Sequence, residues 1–103
     1  MFNFRRFFED RTFGAVRSPG WRKVKKRFLE KNPECAVCGT KKKLEIHHVI
    51  PVHADKSLEL EIKNLITLCD PHHFLYGHFL SWHSWNSEVR KDADIWNKKI
   101  KNR

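Results

Sequence analysis

Apolar residues recur at helical spacing in several parts of this chain and crowd into short extended runs between them. Trp21, Val24 and Phe28 lie three to four positions apart, between a cap and first-turn pair at Ser18-Pro19 and a stop at Asn32-Pro33. That spacing predicts a helix over residues 18–32. The runs LEIHHVI, ending at Pro51, and NLITLC are short and rich in β-branched residues, as strands are, and the turn CAVCGT precedes them. From Val52 to Lys63 the chain is polar and irregular and reads as a loop, although SLELEI has the makings of a short helical turn. Asp70-Pro71 then reads as an N-cap followed by proline at the first helical position, opening a helix through HHFLYGHFL. Ser87 and Glu88 begin a last helix over residues 87–103, with Val89, Ala93, Trp96 and Ile100 as its stripe and lysines gathered in its final turn. The order of elements predicts an α+β fold: a small two-strand-and-helix core over residues 35–80, flanked by an N-terminal and a C-terminal helix. Residues 1–17 set Phe2, Phe4, Phe7, Phe8 and Phe13 among arginines, a pattern that fits an amphipathic arm packed on the body or a mobile basic tail.

Length and charge narrow what such a fold is for. The chain has 103 residues, the size of one domain, and only 40% of them are apolar, so the core is modest and gains from a staple. Lys and Arg number 21 against 12 Asp and Glu, a net charge of +9 that favours a polyanionic partner over mere solubility. The first helix carries Arg22, Lys23, Lys25, Lys26 and Arg27 with no anion before Glu30, and Lys41, Lys42 and Lys43 follow the turn. These cations suit phosphate contact, the alternative being a solvated face. MFNFRRFFEDR interrupts any apolar stretch with arginine, and no run approaches the ~20 apolar residues that cross a bilayer, so a cytoplasmic protein without a membrane partner is expected. In that reducing compartment three cysteines point to metal before disulfide.

Their spacing agrees. Cys35 and Cys38 are two residues apart and followed by Gly39, which permits the tight turn that aims both sulfurs at one point. Cys69 and His72 repeat the gap, completing a Cys3His set suited to tetrahedral structural zinc. A redox CxxC and three buried structural cysteines are the competing readings; nothing nearby has the form of a thioredoxin unit. Seven histidines are many for this length, and all lie between the halves of that set or just after it. Neighbours in a strand face opposite sides, so His47 and His48 have different tasks. On a helix His72 and His73 stand about 100° apart, which lets one serve the zinc while the other faces a second site.

CAVCG, LEIHHVIPVH and NLITLCDPHH together resemble the HNH endonuclease family, over roughly Cys35 to His78. The resemblance implies a ββα-metal (His-Me finger) core built around a zinc knuckle, a single nuclease domain, and metal-dependent hydrolysis of DNA phosphodiester bonds. It implies His47 and His73 as ligands of a catalytic divalent ion, His48 as general base, and Asn64 as the family's central asparagine, bonded to backbone near His48. It is compatible with a phage- or restriction-related origin in a bacterial host's cytoplasm. Two departures matter. The second knuckle pair ends in His72 instead of cysteine, so His72 and His73 are open to exchanging roles. Some relatives place a third imidazole four residues beyond the closing histidine; here that position is Gly77 and His78 stands at the fifth, so packing near Trp82 or a phosphate contact is weighted above ligation. His53 and His83 read as surface or structural.

The chemistry is coherent on its own terms. Phosphodiester hydrolysis needs a deprotonated water, for which a free imidazole is suited, and a cation beside the phosphate. Imidazole ligands are compatible with zinc, nickel, manganese or cobalt, whereas magnesium would rely on water and substrate oxygens. The rival is a zinc-dependent module of the same fold that binds DNA or RNA without cutting, and His48, Asn64 and His73 are residues that binding alone does not require. Tyr76, Trp82 and Trp85 suit stacking on single strands, but core packing is the favoured role in so short a chain. Double-stranded DNA is the expected partner, met by a monomer or a transient dimer.

Overall fold

A computed structural model describes residues 17–103. The arm expected over residues 1–17 therefore lies, apart from Arg17, outside the described residues. Helix α1 spans Trp21–Lys31, strand β1 Leu44–His48 and strand β2 Leu65–Cys69; a short helix α2, Asp70–His72, widens into a π-helical turn over His73–Gly77, and helix α3 spans Val89–Lys101. The strands pair antiparallel, Leu44 opposite Cys69, Ile46 opposite Thr67 and His48 opposite Leu65.

Every residue of β2 is buried: Ile66, Leu68 and Cys69 share a core with the CAVC turn and α3, while Thr67 reaches the end of α1. Val37, Leu68, Val89 and Ala93 form the centre of this small core with the sulfurs of Cys35 and Cys69. Helix α3 is pinned at both ends: Asn97 Nδ2 donates to Val37 O at 3.1 Å, and Arg90 donates to the carbonyls of Lys63 and Leu65. Helix α1 lies against β1, with Lys25 Nζ 3.1 Å from Glu45 Oε1. The Asn32 carbonyl beyond its end accepts from Thr67 Oγ1 on β2 at 2.8 Å.

Three expectations shift. The interstrand connection contains two 3-10 turns, Lys56–Leu58 and Ile62–Asn64, started by the Asp55 and Glu61 carboxylates accepting from Ser57 N and Lys63 N. The helix expected through HHFLYGHFL stops at Gly77: Phe79 and Leu80 turn to φ 51° and 64°, a left-handed exit in which Leu80 N donates to Phe74 O at 2.9 Å. Trp96 is 42% exposed, with Lys99 Nζ 4.7 Å from its ring centroid. The inward line of α3 instead runs through Val89, Ala93, Asn97 and Ile100, one residue around from Trp96. Among the described residues no helix is long and apolar enough to cross a membrane.

Leu68 is fully buried between the sheet and α3. Leu68→Ala is expected to lower unfolding free energy by about 2–5 kcal/mol in urea titration. Ile62→Ala, at a position 61% exposed, is expected to change it by less than about 0.5 kcal/mol.

Candidate active site

The CAVC turn is built for convergence. Cys35 N donates to Thr40 O and Gly39 N to Cys35 O, both at 2.8 Å, and Gly39 adopts φ 77°, where a side chain would be strained. Ala36 N donates to Thr67 O at 2.9 Å, which fastens the turn to β2 and brings it to Cys69 and the first turn of α2. The ligand atoms of Cys35, Cys38, Cys69 and His72 consequently lie within 4.8 Å of one another. Cys38 Sγ is 3.9 Å from Cys69 Sγ, and His72 Nδ1 is 3.6 Å from Cys35 Sγ and 3.2 Å from Cys69 Sγ. Around one tetrahedral zinc the sulfur–sulfur edge is about 3.8 Å and the sulfur–nitrogen edge about 3.5 Å. The donor set fits that ion. Burial, with the charge of Cys35 and Cys38 beside it, pushes the Cys69 thiol up to about 12; a cation at the centre reverses that crowding.

The second cluster depends on alternation along β1 and on the widened turn. His47 and His48 project to opposite faces, as strand geometry requires. His47 meets the rings of His73 and His78, each with its centroid 4.8 Å away, and all three residues are buried. His73 Nε2 is 3.1 Å from His78 Nε2. Two imidazole nitrogens held cis on one octahedral ion about 2.1 Å away would stand roughly 3.0 Å apart. His47 Nε2 is buried with no hydrogen-bond partner among the described residues, and its ring is held well below the ordinary histidine value by burial and by His73, His78 and His48 nearby. A neutral, orphaned nitrogen facing two further imidazoles fits a divalent ion. His72 and His73 thus fall to different clusters, His72 with the thiols and His73 with the imidazoles.

His78 reaches this cluster because the π-helical turn returns the chain to the same face after five residues instead of four. Gly77 makes room. A Cβ there would stand 3.0 to 3.2 Å from three atoms of the His47 ring, so the backbone itself forms one wall of the cluster. His78 Nδ1–H donates to Ser84 O at 2.7 Å, which fixes the tautomer and leaves Nε2 as the acceptor nitrogen. Trp82 packs on the His78 and His73 rings, with centroids 4.8 and 5.3 Å away.

On the other face, His48 Nε2–H donates to Glu59 O at 2.9 Å and its ring lies 4.5 Å from the Trp21 ring. Nδ1 therefore carries the lone pair. Burial, with the Arg17 charge, lowers His48 to about 4, against the opposing effect of the Glu59 carbonyl, so the neutral, proton-accepting ring prevails at neutral pH. Glu59 is itself buried, its carboxylate accepting from Ser18 N at 2.8 Å. Asn64 joins the ends of the interstrand connection: Oδ1 accepts from Ile50 N at 2.8 Å, while Nδ2 donates to Ile50 O at 3.0 Å and Leu58 O at 3.3 Å. It holds the loop that presents the Glu59 carbonyl to His48, and its amide is spent on backbone.

Arg22, Lys23, Lys26 and Arg27 are exposed on α1 and Lys41, Lys42 and Lys43 on the turn, whereas Lys25 is turned onto Glu45. His53 and His83 are exposed, with Trp85 edge-on to His53 at 5.7 Å. The sequence reading missed the parts contributed by Trp21, Glu59, Gly77, Ser84 and Asn86. Ser84 acts through its backbone carbonyl, which no side-chain pattern reports; the unexpected glycine at position 77 was the available signal for the widened turn.

Cys38→Ala opens the knuckle. It is expected to abolish stoichiometric zinc and to unfold the chain or lower Tm by tens of degrees, since a structural zinc contributes on the order of 10 kcal/mol. Zinc analysis with thermal circular dichroism checks this, and an unchanged Tm in a zinc-free variant contradicts it.

No curated protein and no solved structure matches the chain. The Cys3His set, both strands, the His47-His48 pair and Asn64 all lie in one stretch, residues 35–73, which matches the family model described as HNH endonuclease.

Proposed function

We propose that the protein is a metal-dependent endonuclease that hydrolyses DNA phosphodiester bonds with His48 as general base. The observation that carries the proposal is the division of labour between neighbours on β1. His47 belongs to a buried three-imidazole cluster, while His48, one residue on, stays outside it, is neutral at neutral pH and is oriented by its Nε2–H on Glu59 O, which leaves Nδ1 as the proton acceptor.

His47, His73 and His78 would hold a divalent ion, and Cys35, Cys38, Cys69 and His72 a structural zinc. The ion at the imidazoles would supply positive charge to a phosphate oxygen and the departing oxygen. With no carboxylate in the set, a transition ion such as zinc, nickel, cobalt or manganese suits it better than magnesium. The protein's own part in the reaction is proton transfer. A water O–H donates to His48 Nδ1; as the water oxygen bonds to phosphorus, His48 takes the proton, and the bond from phosphorus to the leaving oxygen breaks with its electron pair passing to that oxygen, which takes a proton from solvent. The resulting imidazolium is stabilised by the Glu59 carbonyl at Nε2–H. Asn64 and Glu59 keep that carbonyl in place, and Trp21 limits rotation of the ring. The exposed cations of α1 and of residues 41–43 supply phosphate contacts that position duplex DNA without reading its sequence.

His48→Ala is expected to lower cleavage of supercoiled plasmid at least ~100-fold while leaving zinc content and DNA binding unchanged, because it removes the base and neither ligand set. The assay spans magnesium, manganese, nickel and zinc with EDTA as control. Turnover by His48→Ala at the wild-type rate contradicts the assignment. A folded, zinc-loaded wild type that binds DNA but fails to cut it in the presence of any of these ions replaces the reading with that of a nucleic-acid-binding module.

A further inference from the structure

The carbonyls of the π-helical turn have an unusual donor. Asn86 is buried; its backbone N–H donates to Gly77 O at 2.8 Å and its Nδ2 to Tyr76 O at 2.9 Å. Asp92 on α3 accepts from the same Nδ2 at 2.7 Å, and Asn86 Oδ1 accepts from Glu88 N at 2.9 Å, so the amide is fixed in one orientation. Two residues earlier, Ser84 O accepts from His78 Nδ1–H, and the Ser84 hydroxyl donates to the His78 carbonyl. One short segment therefore grips the widened turn through Tyr76, Gly77 and His78, the three residues that move His78 from the wrong face onto the His47–His73 side. All of these residues lie beyond the stretch matched by the family model.

We infer that Asn86 is a positioning residue for metal binding: it holds the π-helical turn open and thereby sets His78 as the third imidazole of the cluster. An ordinary helical turn would carry the face of His73 on to Gly77, which has no side chain to offer. The wider turn leaves buried carbonyls whose desolvation must be met, and Asn86 meets two of them. Because Asp92 orients the amide, the N-terminal turn of α3 is coupled to the ligand geometry. This inference rests on the metal reading of the three histidines.

The test is calorimetric titration of Ni2+ into the full chain with its knuckle already loaded with zinc, for wild type, Asn86→Ala, His78→Ala and the double variant, with retained zinc and circular dichroism as checks of fold. Asn86→Ala is expected to weaken Ni2+ binding about 10- to 100-fold, the usual effect of losing support behind a ligand. In the His78→Ala background the same change is expected to weaken it no further, since both act through one imidazole. The absorption bands of bound Co2+ should shift alike in the two single variants. Wild-type Ni2+ affinity in folded Asn86→Ala, or losses that add fully in the double variant, overturns the inference and leaves the metal reading standing. Wild type that takes no second ion overturns both. Should Asn86→Ala fail to retain zinc and fold, Asp92→Ala decides: weakened Ni2+ binding that vanishes in the His78→Ala background supports the inference, and unaltered binding rejects it.

Discussion

A polypeptide of this length and low apolar content has few ways to fix the relative orientation of a two-stranded sheet and the helices around it. Here the four ligand atoms of Cys35, Cys38, Cys69 and His72, within 4.8 Å of one another, are placed to supply that constraint through a shared metal ion. Held on one ion, they would tie the turn before β1 to the end of β2 and to the first turn of α2, and would set at its root the direction in which α2 leaves the sheet. The apolar contacts of Val37, Leu68, Val89 and Ala93 then close around the same point. Small cores of this kind gain much of their definition from a metal site.

Two elementary periodicities divide the work at the chemical centre. Alternation along β1 sends His47 and His48 to opposite faces, and the 100° step of a helix separates His72 from His73. The first pair gives His47 to the imidazole cluster and His48 to the opposite face, and the second gives His72 to the thiols and His73 to the imidazoles. The third periodicity is irregular. A five-residue return in the π-helical turn, permitted by Gly77 against the His47 ring, adds His78 to the imidazoles. The interstrand connection has a parallel task on the other face, where Asn64 and Glu59 hold one carbonyl at His48 Nε2.

Much of this was legible in the sequence because it follows from short-range spacing. The knuckle could be read from two gaps of two residues and a glycine, the strands from LEIHH and LITLC, and the opposed histidines from strand geometry. What escaped depends on backbone groups and on residues distant in sequence. Helical spacing argued against His78 as a companion of His73, and its arrival there requires a turn whose carbonyls are capped by Asn86, nine residues after Gly77. Glu59 reads as one more surface carboxylate in SLELEI, yet it is buried and its carboxylate accepts from the backbone N–H of Ser18, 41 positions earlier. Spacing places Trp96 on the apolar stripe of α3, yet it lies exposed, because Asn97, bonded to Val37 O, occupies the inward position.

The proposal depends on two chemically distinct ion sites that divide His72 and His73 between them, a sulfur-rich one that shapes the fold and an all-imidazole one that includes His47, the neighbour of the proposed base. Anomalous diffraction from crystals of protein purified with zinc and soaked in cobalt, recorded at both absorption edges, tests it most directly. The account predicts a zinc peak among Cys35, Cys38, Cys69 and His72 and a separate cobalt peak among His47, His73 and His78. A single peak at the knuckle, with His47, His73 and His78 bonded only to protein and water, would contradict it.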